Sequence, residues 1–501
     1  MSRAGEHAAS LAAAEEALRY FEQAIGLTEQ PLGQAELHEL AGRMAWQARQ
    51  APTAMEHYEA AIGIFDSIGL THPSARVSAA LAEAIWQEGR IEEAVERMRS
   101  AFGVLSGEEE DADLATLAAQ LGRLLYFMGR TDEALERIEL ALSIAEALRL
   151  PEVFSQALNT RGLILSTHGR FEEGSLLLRH SLKVAVDNDL SGAALRAYNN
   201  VAAQAGQEDA FEDVIEFSRE GLELARRVGD RGWELSFLIG DLGELVYLGR
   251  WDEAEARVAA QPPSMDMTEA IRMSYLGMIP MYVWRGDLDR ARELLALFPD
   301  GESAGDVQTR TVFRALQAPL LRAEGRLEEA LAAGEEAFAV HAEFGIRAPQ
   351  VKEGLVEALE AAGAMGDVDK AEELLRRIEA MRPGEISPYL QAQGARFAGR
   401  VAALRRDDER VEPGFQAASE RFAKLKLPFH LAVAKLEQAG WLLDHSAGER
   451  AELLLAEART TFEDLGARPW LERCDRALAR PSGGLDELEP SAAAGDGHGP
   501  S

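Results

Sequence analysis

The sequence predicts an all-α fold, a superhelical array of about twelve helical hairpins that repeat with a period of about 40 residues. Three observations carry this prediction: a recurring turn segment, small residues at fixed places in each unit, and glycines at the ends of the helices. The composition agrees, because 47% of the 501 residues are hydrophobic and only 7% are aromatic. A core can therefore form, and helices are favoured.

The turn segment gives the period. "GRIEEAVERMRSA" at Gly89 recurs as "GRTDEALERIELA" at Gly129 and "GRFEEGSLLLRHS" at Gly169, in steps of 40 residues. A degenerate copy, "DAFEDVIEFSREG", begins at Asp209, and "GRWDEAEARV" follows at Gly249. Further copies extend the series in both directions and begin at or near Ala12, Arg49, Gly286, Gly325, Gly366, Arg406 and Ser446.

Each unit is predicted to contain helix A, a tight turn at the start residue, and helix B. Small residues such as Ala94, Ala134 and Gly174 recur five places after the start, and two further rows lie at helical spacing from it. Small side chains let two helix axes approach to the close end of about 8–10 Å. Glycine at the start suits the left-handed end of helix A, and the acidic pair after it faces the positive end of the helix B dipole. Helix B is predicted to end at Gly69, Gly229, Gly345 and Gly466.

The array is least regular between Gln261 and Pro280. "QPPSMDM" interrupts the pattern there, and Pro280 falls inside a predicted helix A, which it should kink or shorten. We therefore expect a hinge between an N-terminal subarray of residues 1–260 and a C-terminal subarray of residues 264–480. Residues 481–501 have no periodicity and are expected to be disordered.

Composition and motifs exclude several classes of function. The net charge of −33 repels phosphate backbones, so we expect no direct binding of nucleic acid. No apolar run approaches the length of a membrane span, and Cys474 is the only cysteine, which indicates a reducing, cytoplasmic setting. The sequence contains no phosphate-binding loop and no zinc-binding histidine pair. We therefore expect no catalytic residue, no cofactor and no metal.

A binding surface is expected where the A helices line the concave side of the array. Six residues on three consecutive A helices are the candidates: Tyr126, Phe127, Asn159, Arg196, Asn199 and Asn200. They could hold the backbone or a carboxylate of a peptide, and a small-molecule inducer is a further candidate ligand. In the alternative interpretation, the three asparagines bond neighbouring helices or water. Trp86, Trp251, Trp284 and Trp441 recur near the turns and are interpreted as packing residues.

The fixed small residues, with Leu121, Gly122, Tyr126 and Ala134 in one unit, resemble the tetratricopeptide pattern. A period of about 40 residues also fits HEAT-type repeats, whereas the turn and the rows of small residues favour tetratricopeptide repeats. The resemblance implies an array that holds extended peptides or helices.

"FEDLGARPWLERCDRAL" (Phe462 to Leu478) closely resembles the final hairpin of the helical region in large ATP-dependent LuxR-type, MalT-like regulators. In that family a link similar to "PSGGLDELEPS" (Pro481 to Ser491) leads into a helix-turn-helix domain. We recognise neither the family's nucleotide-binding domain nor its DNA-binding domain among these residues. The resemblance therefore implies only the sensing and assembly role of the array.

Two further interpretations remain open. The chain could be a free-standing scaffold that assembles other proteins, or a fragment of an adenylate-cyclase-type protein with an ATPase module, in which the same kind of helical region occurs.

Overall fold

The computed structural model describes residues 2–10, 14–48, 50–107, 109–260, 277–298, 301, 307–341, 345–445 and 447–479. Within these ranges the regular elements are helices and there is no β-strand, which confirms the predicted all-α class. None of the described helices is both long enough and apolar enough to cross a membrane.

The helices alternate as A and B members of successive hairpins. The A helices are Ser2–Ser10, Pro31–Gln47, Thr71–Gln87, Ala112–Phe127, Pro151–Thr167, Ser191–Gln207, the broken pair Arg231–Ile239 and Leu242–Tyr247, Ile279–Arg285, Val307–Ala323, Pro349–Ala364, Pro388–Arg405 and Pro428–Asp444. The B helices are Ala14–Ile25, Ala51–Ser67, Ile91–Leu105, Thr131–Leu148, Phe171–Asp187, Phe211–Val228, Trp251–Ala259, Leu288–Leu295, Leu327–Ala339, Val368–Glu379, Asp408–Lys424 and Gly448–Leu465. A last helix, Arg468–Ala479, follows.

At the described start residues the predicted turns are present, whereas the predicted starts at Ala12, Arg49 and Ser446 lie outside the described residues. Gly89 has φ 78°, and the other start glycines also have positive φ. Where glycine is missing, Asp209 and Arg406 take the same left-handed conformation, with φ of 58° and 60°. This conformation costs a residue with a Cβ on the order of 1 kcal/mol, so a non-glycine residue at such a turn calls for a local reason. The predicted ends of helix B are also left-handed, at Gly69, Gly229, Gly345 and Gly466.

Small residues lie where neighbouring helices approach most closely. The residue five places after the start is buried in every hairpin; the set is Ala17, Ala54, Ala94, Ala134, Gly174, Val214, Ala254, Ala291, Ala330, Ala371, Val411 and Ala451. A Cβ at Gly162 would stand 2.8 Å from the Leu178 side chain and 2.9 Å from the Gly174 carbonyl oxygen. The spacing of small residues therefore reflects helix contact, as predicted.

The chain divides into two compact units. The first comprises residues 1–200 and 224–230, and the second comprises residues 201–223 and 231–501. The subarrays of residues 1–260 and 264–480, expected from the sequence pattern, stay a prediction. The "QPPSMDM" segment of the predicted hinge lies outside the described residues, as does the predicted disordered tail at 481–501. Pro280 stands in the first turn of the short helix Ile279–Arg285, where proline is tolerated.

Candidate functional site

Two of the predicted binding residues form an aromatic surface in the first unit. The Phe127 side chain is 53% exposed, and its ring stacks on Trp86 with centroids 5.6 Å apart. The Tyr126 hydroxyl lies 3.0 Å from the Thr167 hydroxyl on the next A helix. The guanidinium of Arg123 lies 4.7 Å from the Trp86 ring centroid. An exposed aromatic ring beside a cation can contact an extended peptide.

The other four predicted residues bond other groups of the protein, and the Asn200–Asn159 and Arg196–Thr160 bonds join neighbouring hairpins. Asn159 is buried, and its Nδ2 donates to Ser181 Oγ at 3.1 Å. Asn200 Nδ2 donates to Asn159 Oδ1 at 2.5 Å, and Asn199 Nδ2 lies 3.4 Å from Asn200 Oδ1. Arg196 Nη2 donates to Thr160 Oγ1 at 2.8 Å. Burial and then the charge of Arg123 lower the pKa of Arg196. These amides thus bond neighbouring helices, while Phe127 remains accessible.

The second unit contains a cavity of about 210 Å³. Its lining comes mainly from A helices, namely Leu242–Tyr247, Ile279–Arg285, Val307–Ala323, Pro349–Ala364, Pro388–Arg405 and Pro428–Asp444. Concave spaces of this kind, with apolar walls and a few polar groups, are where proteins bind small molecules. The cavity is therefore the candidate functional site.

Aromatic rings form one wall of the cavity. Trp284 stacks on Phe429 with centroids 4.2 Å apart, and Tyr247 stacks on Phe211 at 5.0 Å. Tyr247 also stacks on the His430 ring at 5.6 Å. Trp284 belongs to the short helix Ile279–Arg285 and lines the cavity. The wall is thus a cluster of aromatic rings that contact one another.

A buried ion pair joins distant parts of the second unit beside the cavity. The Lys352 ammonium binds the Asp209 carboxylate and donates to the Gly206 carbonyl oxygen at 3.1 Å. Asp209 Oδ2 also accepts from the backbone N–H of Tyr389 at 2.6 Å. Both charged side chains are nearly inaccessible to solvent. Because the ammonium nitrogen and both carboxylate oxygens have hydrogen-bond partners, burial of the pair is tolerated.

Two arginines of the lining are held by carboxylates. Arg322 Nε donates to Glu357 Oε2 at 3.0 Å. Arg396 binds Glu360 through Nη1 at 2.6 Å and Glu437 through Nε and Nη2 at 2.7 and 2.6 Å. Burial alone would raise the pKa of Glu360, but the nearby guanidinium groups lower it below its ordinary value. The arginines are thus neutralised by the protein itself.

Three polar groups in the lining lack a charged partner. Glu353 accepts a hydrogen bond from the Tyr247 hydroxyl, and Glu244 makes no ion pair among the described residues. Burial raises the pKa of both carboxyls to about 7. His430 is 6% exposed, and its Nδ1 has no hydrogen-bond partner. Burial and then the charge of Arg396 lower the pKa of His430 to about 3, so the ring is neutral.

The sequence pattern did not single out this cavity. The pattern identified Asp209 only as the start of a degenerate unit, and it gave Trp284 a packing role. Trp284 does pack on Phe429, but it also lines the cavity. One signal was available: aspartate replaces glycine at a position where the chain must turn left-handed. No sequence spacing links the acidic residues of helix Pro349–Ala364 to Tyr247 or Trp284.

One cluster in the first unit has the geometry of a metal site. His72, Asp111 and Asp113 place ligand atoms within 4.8 Å of one another. Asp111 already accepts from the Leu114 backbone N–H at 2.9 Å, as a helix cap, and Asp113 pairs with Arg76 at 3.4 Å. The cluster is accounted for by these contacts, so we assign no metal to it.

Cys474 is fully buried in the last helix. Burial raises the pKa of its thiol to about 11, so the reactive thiolate is disfavoured.

Residues 73–147 match the family model described as tetratricopeptide repeat. The chain therefore contains a tetratricopeptide repeat region, and this interpretation of the 40-residue units is confirmed there. No protein with a curated description matches the chain.

Several solved structures are similar to the chain at low sequence identity. A human IFIT1 dimer with m7Gppp-AAAA is 16% identical, with a TM-score of 0.45 over 81% of this chain and 91% of that chain. The APC/C hetero-tetramer Cut9-Hcn1 is 14% identical, with a TM-score of 0.48 over 94% of this chain and 95% of that chain. A tetratricopeptide repeat protein from Parabacteroides merdae is 15% identical, with a TM-score of 0.29 over 64% and 98% of the two chains.

Proposed function

We propose that the chain is a non-catalytic, ligand-sensing interaction module and that the cavity of the second unit is its sensing site. The cavity carries the proposal, because it combines aromatic walls with charged groups that the A helices of several hairpins bring together. A ligand there would contact several hairpins at once. Its binding energy would therefore favour one arrangement of those helices over others.

We further propose that the module is the sensing and assembly part of a LuxR-type regulator. The sequence resemblance is strongest around "FEDLGARPWLERCDRAL", and Trp470 of that segment lines the cavity. The Trp470 ring contacts Phe429 and Phe462, with centroids 5.3 and 5.7 Å apart. A ligand in the cavity would thus contact the last helix through Trp470. In the family that the chain resembles, this helix leads toward the DNA-binding domain.

The proposed setting and partners follow from charge and thiol chemistry. A net charge of −33 favours basic protein partners over nucleic acid, and a single buried thiol suits a reducing cytoplasm. Regulator assembly would then involve other proteins, with the array as the contact surface.

A cavity-blocking variant tests the sensing role. Leu316→Trp places a large ring in the lining, and Leu453→Trp makes the same change at a side chain that is 67% exposed in the same unit. The melting temperature is measured with a panel of amines, sugars, organic acids and nucleotides. We expect at least one class to raise the melting temperature of wild type and Leu453→Trp but not of Leu316→Trp. A panel without effect, or an equal effect on all three proteins, contradicts the proposal.

Sequencing the DNA on both sides of the gene tests the regulator assignment. A region encoding a helix-turn-helix downstream is the expected result. An upstream cyclase and ATPase region would instead favour the cyclase-type interpretation. If neither region is found, the free-standing scaffold is the interpretation that remains.

A second candidate function is peptide binding by the A helices of the first unit. The observation in its favour is the exposed Phe127 ring, stacked on Trp86. Phe127→Ala should then abolish binding of peptides selected on the wild-type chain. Leu176→Ala, at a helix B side chain that is 68% exposed, is the matched control and should leave binding unchanged. Equal binding by both variants contradicts this function.

A further inference from the structure

Among the described residues, the three cations that line the cavity are each bound by the protein's own carboxylates. Lys352 is bound by Asp209, Arg322 by Glu357, and Arg396 by both Glu360 and Glu437. Arg322 donates to Glu357 through two nitrogens, and Arg396 donates to Glu437 through two nitrogens and to Glu360 through a third, which is the geometry of strong pairs. An anionic ligand would have to displace these contacts. The cavity is therefore poorly suited to phosphates or carboxylates.

The lining carboxylates Glu244 and Glu353 are left without a cation of their own. Neither forms an ion pair among the described residues, although the Lys352 charge acts on both. Placing carboxylates in such a setting costs free energy unless a positive charge compensates them. Within the described residues no cation pairs directly with either carboxylate, so a bound cation would relieve the cost.

The aromatic wall faces the same space as these carboxylates. Tyr247 donates its hydroxyl proton to Glu353 and lines the cavity together with Trp284 and Phe429. Faces of aromatic rings attract organic cations, and the attraction grows when the cation is removed from water. Metal ions, in contrast, prefer a shell of oxygen or nitrogen ligands, which aromatic rings do not provide.

His430 adds a polar contact that the protein leaves unused. Its Nε2 lies 3.4 Å from the Tyr389 hydroxyl, whereas Nδ1 has no partner. Buried polar atoms without partners are uncommon, because each costs free energy that a ligand contact can recover. A small rearrangement of this neutral ring would offer a hydrogen bond to a hydroxyl or N–H group of the ligand.

We propose that the cavity binds a small organic ammonium ion, with Glu244 and Glu353 neutralising its charge and Trp284, Phe429 and Tyr247 surrounding its apolar body. This proposal rests on the sensing function proposed above and names the chemical class of the ligand. It does not depend on the identity of the regulator.

Choline and dimethylbutanol, its uncharged carbon analogue, test the charge requirement on the wild-type protein. Calorimetric titration should show choline binding at least about tenfold tighter than dimethylbutanol, the difference expected for a desolvated cation among aromatic rings and carboxylates. This comparison uses no variant and is independent of any effect of mutation on folding. Absence of choline binding, or equal affinity for the two compounds, overturns the proposal.

Glu244→Gln and Glu353→Gln locate the binding. Each keeps the size of the side chain and removes its charge, and each should weaken choline binding about tenfold or more. Glu379→Gln is the matched control, because Glu379 is exposed in helix Val368–Glu379 of the same unit and does not line the cavity. Unchanged affinity in both cavity variants overturns the proposal.

The Leu316→Trp variant separates failure of this inference from failure of the sensing function. In one outcome, sugars, organic acids or nucleotides bind wild type but not Leu316→Trp, while choline binds neither protein. That result would contradict the ammonium assignment and support the sensing function. If no class of compound binds in that manner, both fall.

Discussion

At the scale of single residues, Asp209 belongs both to the repeat pattern, as a turn residue, and to the ion pair beside the cavity. It occupies a turn position where most units have glycine, and it takes the left-handed conformation with φ 58°. Its carboxylate binds Lys352 and the Tyr389 backbone N–H, so the unfavourable backbone is offset by contacts that glycine cannot make. The turn was predictable from the period. Its partners were not, because Lys352 lies 143 residues further along the chain.

Replacing Asp209 with glycine should destabilise the second unit. The variant leaves the buried Lys352 ammonium without its carboxylate, which costs about 3 kcal/mol or more and outweighs the relief of backbone strain. Arg406→Gly is the control, since Arg406 is exposed and has φ 60° at the equivalent turn. It should stabilise the protein by up to about 1 kcal/mol. Urea denaturation measures both, and stabilisation by Asp209→Gly would show that the ion pair contributes little.

Glu244 and Glu353 should make stability fall as pH rises. Their pKa values are raised from 4.5 to about 7 in the folded protein, so between these values the folded state binds more protons than the unfolded state. The free energy of unfolding therefore decreases through this window. The double variant Glu244→Gln/Glu353→Gln removes the effect and should gain stability relative to wild type as pH increases from 4.5 to 7.

Neighbouring charges are unchanged in that comparison. The groups that act on the two carboxyls are Asp241, Lys352, Asp209, Glu357 and Tyr247. His430 titrates in the opposite sense, because its folded pKa is lowered to about 3, but it does so in both proteins. Chemical denaturation at several pH values gives the difference directly. A stability difference that does not change with pH would mean that the carboxyls titrate normally.

At the scale of elements, the helical hairpin was predictable in detail. The recurring small residues indicated close helix contacts, and Gly162 meets Leu178 and Gly174 with no room for a Cβ. The turns were predictable because few residues tolerate positive φ. One break was predictable, because Pro280 was expected to shorten its helix, and Ile279–Arg285 is short. The repeat pattern did not predict the other, the split of helix A of the seventh hairpin at residues 240–241. Such a split depends on tertiary contacts that local preferences do not encode.

Gly162→Ala should destabilise the first unit by about 1–3 kcal/mol, because the added methyl group forces neighbouring helices apart. Gly63→Ala makes the same change inside helix Ala51–Ser67, where nothing lies within 4 Å of the new Cβ. It should stabilise the protein by up to about 1 kcal/mol, since alanine favours helix over glycine. Thermal denaturation followed by circular dichroism distinguishes them, and equal effects would contradict the close-packing explanation.

At the scale of the whole molecule, the fold class follows from the period, whereas the site does not. The residues that line the cavity lie between positions 206 and 470 and belong to several hairpins. The order of these hairpins in the sequence does not predict which of their side chains come into contact. The cavity also lies beside the irregular hairpins, since Gly243, Gly277 and Pro280 belong to its lining. The predicted binding residues all fall in the regular first unit. A regular array predicts contacts between neighbours, and a cavity arises where that regularity is interrupted.

Hydrogen exchange measured by mass spectrometry, with and without choline, tests most directly whether the cavity is the functional site. Ligand binding slows amide exchange where it suppresses local opening. We predict slower exchange in helices Leu242–Tyr247 and Pro349–Ala364, which carry Glu244 and Glu353. Slower exchange in helices Ala112–Phe127 and Pro151–Thr167 of the first unit instead, or no change in either region, would contradict the account.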